Sequence, residues 1–247
     1  MAKKLTGKVA LVTGGSRGLG AAIAKRLAED DAAVALTYTS SPQKADEVVR
    51  AIESAGGKAL AIRADSADVE AVKNAVAQTV KAFGRLDILV NNAGVAALAP
   101  IDQFSLEDFD RLVAINIKGV FVATQEAARH MGEGGRIINI GSVNSDLVPF
   151  AGGSVYALTK GAIASFTRGL ARDLGPRGIT VNNIQPGPVD TDMNPADGAF
   201  ADNIKGLTAL QRYGHSDEIA GMVSYLASPE AGFVTGASLN IDGGFTA

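Results

Sequence analysis

Short runs of apolar, mostly β-branched residues alternate along the chain with longer alanine-rich stretches that have helical spacing. Continuous apolar character over a short run is typical of strands buried on both faces, so the runs predict strands and the stretches between them predict helices. The predicted strands are residues 9–12, 34–37, 59–62, 86–90, 136–140, 179–184 and 238–242.

Strands separated by helices indicate right-handed crossovers and a parallel sheet. We therefore predict the α/β class: one domain over residues 1–247, a Rossmann fold whose doubly wound parallel sheet carries helices on both faces. Ligands of such folds bind beyond the carboxyl ends of the strands. Glycine-rich or polar residues repeatedly follow the predicted strands, and they indicate a crevice along that edge: residues 13–20, Asp65, 91–94, 141–142 and 186–187.

Residues 187–206 lose all periodicity and gather proline, aspartate and glycine. The segment is too long for an ordinary connection and is typical of a lid over a binding site. We predict that it covers the substrate.

Composition excludes several classes of function. The 247 residues carry a net charge of -3, which offers no basic surface for nucleic acid. Cysteine is absent, and neither His130 nor His215 has a carboxylate or second histidine at ligand spacing, so no metal site is expected. Because no signal-type or membrane-spanning apolar segment is present, we expect a cytoplasmic protein that does not enter membranes.

The stretch 13–20, TGGSRGLG, joins the first predicted strand to a helix. Its spacing is G-x-x-x-G-x-G, at Gly14, Gly18 and Gly20. Glycines permit a positive φ and close approach of a ligand, while the N-terminus of the following helix attracts a phosphate. The alternative is a tight strand-to-helix connection without a ligand.

The end of the second predicted strand bears on which nucleotide is bound. NAD sites usually place an acidic residue there, but this strand continues as Tyr38, Thr39 and Ser40 without an acid. Arg17 inside the glycine turn is a suitable partner for an adenosine 2′-phosphate. The sequence therefore favours NADP(H).

Tyr156 and Lys160 stand four residues apart at the beginning of a helical pattern, so they share one helix face. A nearby ammonium favours the phenolate form of tyrosine, which makes the pair a candidate acid/base. The alternative is a pair that merely packs on a helix surface.

Two further polar residues are candidates for the same site. Ser142 follows the fifth predicted strand, where its hydroxyl can donate to a substrate oxygen or merely cap a strand end or helix start. Asn116 interrupts an apolar helical run, where it is either a hydrogen-bonded core amide or a functional kink.

Together these residues resemble the short-chain dehydrogenase/reductase family. TGGSRGLG is similar to the family's cofactor turn, NNAG at 91–94 to its signature after the fourth strand, and Tyr156-x-x-x-Lys160 to its catalytic motif. Asn116, Ser142, Pro186-Gly187 and Thr191 fall in the family's order and spacing, so the resemblance covers nearly the whole chain.

The resemblance implies reversible reduction of a ketone or aldehyde by hydride transfer from NADPH. Tyr156 would donate the proton to the carbonyl oxygen, and Ser142 would orient that carbonyl. Lys160 would bind the nicotinamide ribose and lower the pKa of Tyr156, and Asn116 would hold a water in a proton relay. Family members are commonly homotetramers, which we expect here too.

The resemblance also implies a set of cofactor contacts, with Asp65 at the adenine and Asn92 near the adenosine ribose. The expected cofactor residues are Gly14, Ser16, Arg17, Gly18, Leu19, Gly20, Tyr38, Thr39, Ser40, Asp65, Ser66, Asn92, Ala93, Gly94, Tyr156, Lys160, Pro186, Gly187, Val189 and Thr191.

Asn183 and Gln185 depart from the family pattern, which more often has small residues there, and would place polar groups close to the nicotinamide. With GSVNSD and PGPVDTDMNPADG they are more similar to a subgroup named for cyclic-di-GMP binding and biofilm dispersal than to 3-oxoacyl carrier-protein reductases of fatty-acid synthesis. Because the catalytic residues are complete, we predict an enzyme, with a nucleotide-binding sensor of little or no turnover as the alternative.

Overall fold

The computed structural model describes residues 3–198 and 201–247, and within them seven strands form a single sheet. The strands are β1 Val9–Val12, β2 Ala33–Tyr38, β3 Lys58–Arg63, β4 Ile88–Asn91, β5 Arg136–Ile140, β6 Thr180–Pro186 and β7 Ser238–Ile241. Their order is β3-β2-β1-β4-β5-β6-β7, and each neighbouring pair is parallel. The predicted doubly wound parallel sheet is confirmed.

Helices connect the strands and cover both faces of the sheet. They are α1 Gly18–Glu29, α2 Pro42–Ser54, α3 Val69–Phe83, α4 Leu106–Val113, α5 Val120–His130, α6 Ser154–Leu174, α7 Ala201–Leu207 and α8 Ser216–Ala227. Among the described residues, no helix is both long enough and apolar enough to cross a bilayer.

Alternate residues of each strand point to opposite faces, and this divides the core in two. In β1, Val12 packs with Ile23 of α1 and Val223 of α8, whereas Leu11 packs with Val76 of α3 on the other face. Both layers consist mainly of aliphatic side chains with almost no exposed surface. This two-sided burial explains why the strands are almost continuously apolar.

The chain winds outward from β1 in one direction and from β4 in the other, so the connections after these neighbouring strands diverge. A crevice forms at that switch point, beyond the carboxyl ends of β1 and β4. The sequence placed Asn91 in the turn after the fourth strand, but Asn91 is the last residue of β4 and is buried. It pairs in register with Asn139 of β5, to which its side-chain amide donates at 2.9 Å.

Candidate active site

The glycine turn between β1 and α1 has the backbone that its glycines predict. Gly14 and Gly18 have φ values of +65° and +51°, in the left-handed region that favours glycine. Gly20 is buried against the carbonyl group of Gly14 and the side chain of Asn92, which leaves no space for a Cβ atom. The turn is therefore specified by close backbone packing.

The N-terminus of α1 is open to an anion. Its N-cap residue, Arg17, makes no side-chain cap hydrogen bond, and the first turn holds no acidic residue. By contrast, Asp68 caps α3 and Ser105 caps α4 through their side chains. The uncapped N–H groups and the helix dipole of α1 suit the diphosphate of a dinucleotide.

Two threonines that sequence reasoning did not single out hold this turn in place. The Thr13 hydroxyl accepts from the backbone N–H groups of Asn92 and Ala93, each at 3.0 Å. The Thr37 hydroxyl, in β2, accepts from the N–H of Gly14 at 3.0 Å. Asn92 returns a bond from its amide to the Thr13 carbonyl at 2.9 Å. These bonds join the glycine turn to β2 and to the loop after β4.

Arg17 and a lysine that the sequence did not suggest meet at one carboxylate. Asp192 Oδ2 lies 3.6 Å from an Arg17 guanidinium nitrogen and 3.4 Å from Lys44 Nζ at the start of α2. All three side chains are more than half exposed. The side chains of Arg17 and Lys44 thus place two positive charges beside the glycine turn, both next to Asp192 Oδ2.

The other expected adenosine contacts lie at the ends of β2 and β3. Tyr38 ends β2 and is half-buried, Thr39 donates to the carbonyl of Ala64, and Ser40 is exposed. Asp65 is exposed and accepts from the N–H of Ala67, which shapes the turn containing Ser66. These residues therefore lie at or just beyond the carboxyl ends of β2 and β3.

Asn116 lies at a local change of helix type. Residues Ala114–Gly119 form a π-helical segment between α4 and α5. The buried Asn116 amide donates to the carbonyl of Val95 and to Thr159, and it accepts from the N–H of Val95 at 2.9 Å. Asn116 is therefore a hydrogen-bonded buried amide, and it lies in a π-helical segment, a type of irregularity that is frequent at functional sites. Both amide hydrogens are used, which leaves only Oδ1 to accept from a relay water.

Lys160 lies beside Asn116 at Gly94 and also beside the ring of Tyr156. A Cβ atom on Gly94 would lie 3.4 Å from Asn116 Oδ1 and 3.6 Å from Lys160 Nζ. Lys160 Nζ lies 5.7 Å from the centre of the Tyr156 ring and donates to the carbonyl of Ile140 at 2.9 Å. The Ser142 hydroxyl donates to Asn144 Oδ1 at 3.3 Å and accepts from the N–H of Asn144 at 3.1 Å. It lies close enough to the Tyr156 phenol to lower the pKa of that phenol. All four predicted catalytic residues thus share one site.

Burial shifts the pKa values of Lys160 and Tyr156 away from their ordinary values. It lowers the pKa of Lys160 to about 8. Burial also raises the pKa of Tyr156, and the hydrogen bond with Ser142 opposes that rise without overcoming it. The pKa of Tyr156 is therefore raised in this structure and not lowered, because desolvation of the phenolate dominates.

The comparisons with known proteins agree with this geometry. A family model described as enoyl-(acyl carrier protein) reductase matches residues 14–246. The chain belongs to the short-chain dehydrogenase/reductase family. A short-chain dehydrogenase/reductase structure from Serratia marcescens is 61% identical, has a TM-score of 0.98, and is aligned over 99% of this chain and 100% of that chain.

Two further relatives are informative about ligands. A short-chain dehydrogenase from Burkholderia cenocepacia, solved in complex with NADP, is 55% identical with a TM-score of 0.97, over 99% of this chain and 100% of that chain. A cyclic-di-GMP-binding biofilm dispersal mediator protein of Escherichia coli is 50% identical over 242 residues, 98% of each chain.

The segment after β6 closes the site of this short-chain dehydrogenase/reductase on one side. Pro186 is buried, Gly187 packs against Asp242, and Thr191 lies against Gly18 of the glycine turn. The side chain of Val189 packs in the core, so only its backbone can reach a cofactor. The proposed lid at 187–206 includes residues 199–200, which lie outside the described residues.

Asn183 and Gln185 are completely buried and do not reach the surface of the crevice. Both have no exposed surface, because the turn after β5 covers this part of β6. Their amides bond to each other and to neighbouring segments. These two side chains therefore join β6 to β7 and to the turn after β5.

Contrary to the sequence-based expectation, both histidines have a carboxylate nearby. Glu126, four residues before His130 on α5, has its carboxylate 3.6 Å from His130 Nε2. The carboxylate of Glu218 accepts from the backbone N–H of His215 at the start of α8. Each histidine thus has a nearby carboxylate that the sequence spacing should have revealed, but these contacts are an ordinary helix pair and a helix cap.

The buried ammonium of Lys160 gives a prediction for stability. Its pKa falls from 10.5 to about 8 on folding, so between these values the unfolded chain binds the proton and the folded chain does not. Folding stability contributed by this group therefore rises as the pH increases from about 8 to 10.5. Relative to Lys160→Met, the free energy of unfolding of the wild type should gain roughly 3 kcal/mol across that range.

Urea denaturation at several pH values measures this difference. Lys118→Met supplies the control, since Lys118 is exposed in the same π-helical segment and its curve should run parallel to that of the wild type. A pH-independent difference between the wild type and Lys160→Met would contradict the buried-ammonium account.

Proposed function

We propose that this protein is an NADPH-dependent carbonyl reductase that reversibly reduces a ketone or aldehyde to an alcohol. The observation that carries the proposal is that Lys160 lies beside both Asn116, at Gly94, and the ring of Tyr156, while Ser142 lies beside the Tyr156 phenol. An acid, an orienting hydroxyl and a buried ammonium are the groups that carbonyl reduction needs.

When bound, NADPH supplies the hydride. The Ser142 hydroxyl donates a hydrogen bond to the substrate carbonyl oxygen and holds it near the Tyr156 phenol. Tyr156 gives its proton to that oxygen as negative charge develops there; its raised pKa keeps the phenol protonated at neutral pH, in the form needed for reduction. The Lys160 ammonium contributes positive charge beside the phenolate that results.

The proposed cofactor site follows the same edge of the sheet. The open N-terminus of α1 binds the diphosphate, and Arg17 with Lys44 binds the adenosine 2′-phosphate in place of the Asp192 carboxylate. NADP bound to the Burkholderia cenocepacia relative, at 55% identity, supports this choice of nucleotide.

We also propose that the single domain acts in the cytoplasm as a homotetramer. Large apolar side chains remain exposed at several positions, among them Phe121 on α5 at 46%, Leu158 on α6 at 54% and Phe233 in the loop before β7 at 103%. Exposed apolar groups of this size are typical of surfaces that pair with another copy. Light scattering on the purified protein measures the number of subunits.

The decisive test is a panel of ketones and aldehydes offered with NADPH and, separately, NADH. We expect NADPH oxidation with at least one carbonyl compound and weaker use of NADH. The Escherichia coli relative motivates the alternative, a nucleotide-binding sensor. Tight binding of cyclic-di-GMP, together with no turnover across the panel, would favour the sensor and reject the reductase.

A further inference from the structure

The side-chain amide of Gln185 is completely buried in β6, and its hydrogen-bonding capacity is saturated. Its oxygen accepts from the Ser145 hydroxyl at 2.7 Å and from the Asn183 amide at 3.0 Å. Its nitrogen donates to Asp146 Oδ2 at 2.6 Å and to Asn240 Oδ1 at 2.8 Å. An amide with four good bonds has one orientation and rigidly joins the groups around it.

Two of those partners belong to the turn that begins with the catalytic-site serine. The N–H of Ser145 donates to the carbonyl of Ser142, and that of Asp146 donates to the carbonyl of Val143. The Ser142 hydroxyl accepts from the N–H of Asn144. The turn is thus a compact unit over residues 142–147, with its far end fixed to β6 through Gln185 and its near end at the Tyr156 phenol.

We propose that Gln185 is a positioning residue for the reaction assigned above, holding the 142–147 turn through Ser145 and Asp146 and so directing the Ser142 hydroxyl at the substrate carbonyl. This inference rests on the proposed function. Gln185 makes no hydrogen bond to Tyr156 and does not reach the surface of the crevice; it acts only through the turn. Asn183 supports it from the same strand by bonding to both Gln185 and Ser238 of β7.

The substitution Gln185→Glu tests the amide with almost no change in shape. It keeps the acceptor for Ser145 but replaces the amide nitrogen that donates to Asp146 and Asn240 with a second carboxylate oxygen. At a pH high enough to ionise both carboxyl groups, the two carboxylate oxygens in the place of the present 2.6 Å bond repel each other, which pushes the turn away from β6. Adding Asp146→Asn returns a hydrogen bond with reversed direction, because the new amide nitrogen can donate to the introduced carboxylate.

The experiment compares the wild type with Gln185→Glu, Asp146→Asn and the double variant, which completes a double-mutant cycle. Amide hydrogen exchange over residues 143–147 reports on the turn without cofactor or substrate. Steady-state rates with the best carbonyl of the panel report on positioning. We expect Gln185→Glu to speed exchange of these amides and to lower kcat about tenfold, with KM for NADPH changed less than about threefold. The double variant should regain most of both losses.

Asn182→Asp provides the matched control. Asn182 is buried on the opposite face of β6, where its amide donates to the carbonyl of Val234 at 2.7 Å. The control should destabilise the fold similarly yet leave kcat of the folded enzyme within about twofold and exchange at 143–147 unchanged.

The outcomes separate this inference from the proposed function. Unchanged exchange at 143–147 in Gln185→Glu overturns the positioning role, whatever the activity. Faster exchange with full kcat, or a loss of kcat that Asp146→Asn does not recover, overturns it as well. A wild type without turnover on any carbonyl rejects the reductase and with it the catalytic purpose of Gln185, while exchange still reports whether the turn is held.

Discussion

Replacing Tyr156 with phenylalanine is expected to lower kcat by a factor of roughly 10³ while leaving NADPH affinity within about twofold. The variant removes one oxygen atom, the only atom by which the ring can give a proton. It retains the ring that lies 5.7 Å from Lys160 Nζ, so the packing of α6 against the site persists. Steady-state rates and a fluorescence titration with NADPH measure the two quantities separately.

Tyr225→Phe is the matched control for this prediction. It deletes the same oxygen from a tyrosine on α8, which packs on α1 and away from the 142–147 turn, and it should keep full activity. Thermal denaturation of both variants identifies any loss caused by unfolding. A Tyr156→Phe enzyme that retained more than about a tenth of the wild-type kcat would exclude Tyr156 as the proton donor.

The local parts of the site could be predicted from the sequence because their physics is local. The left-handed φ at Gly14 and Gly18 follows from glycine spacing in a strand-to-helix turn. The interruption at Asn116 follows from a polar amide in an apolar helical run, although the sequence did not show that the interruption is a π-helical segment. The i, i+4 spacing placed Tyr156 and Lys160 on one helix face.

Features that depend on burial could not be predicted in this way. Spacing alone suggested that Lys160 lowers the pKa of Tyr156, but the surrounding strands and loops desolvate both groups, and desolvation is set by the whole fold. Gln185 is a similar case. It departs from the family pattern in the sequence, but its partners in the 142–147 turn and β7 become visible only when distant segments pack together.

Ion pairs between distant segments are a second kind of feature that could not be predicted from the sequence. Lys44 and Asp192 are separated by most of the chain, and nothing in the spacing of either residue indicates the other. The contact between His130 and Glu126 is different, because residues four apart on a helix share one face and the contact could have been predicted from the sequence. The Lys44–Asp192 pair could not be predicted because it forms only when distant segments pack together, whereas overlooking the His130–Glu126 pair was an error of interpretation.

The second large effect is expected at Arg17. Arg17→Ala should weaken NADPH binding about ten- to hundredfold, the cost of losing a charge-assisted contact with a phosphate, and should weaken NADH binding less than about threefold. NADH lacks the 2′-phosphate, so the guanidinium has little to bind in that cofactor. Calorimetric titration of both cofactors at low and high ionic strength measures the contrast, which should shrink with added salt because the side chain is 62% exposed.

Asp192→Asn should shift NADPH affinity in the opposite direction. The Asp192 carboxylate lies 3.6 Å from Arg17 and 3.4 Å from Lys44, so it competes with a phosphate for the same two cations. Neutralising it removes the competitor without removing either cation, and NADPH should bind a few-fold more tightly while NADH affinity stays unchanged. Equal losses of both cofactors in Arg17→Ala, or weaker NADPH binding in Asp192→Asn, would show that these charges only fold the loop after β6 onto α1. Opposite shifts confined to NADPH would instead mean that the loop carboxylate occupies the position of the 2′-phosphate, so that cofactor choice and loop position are set by the same pair of cations.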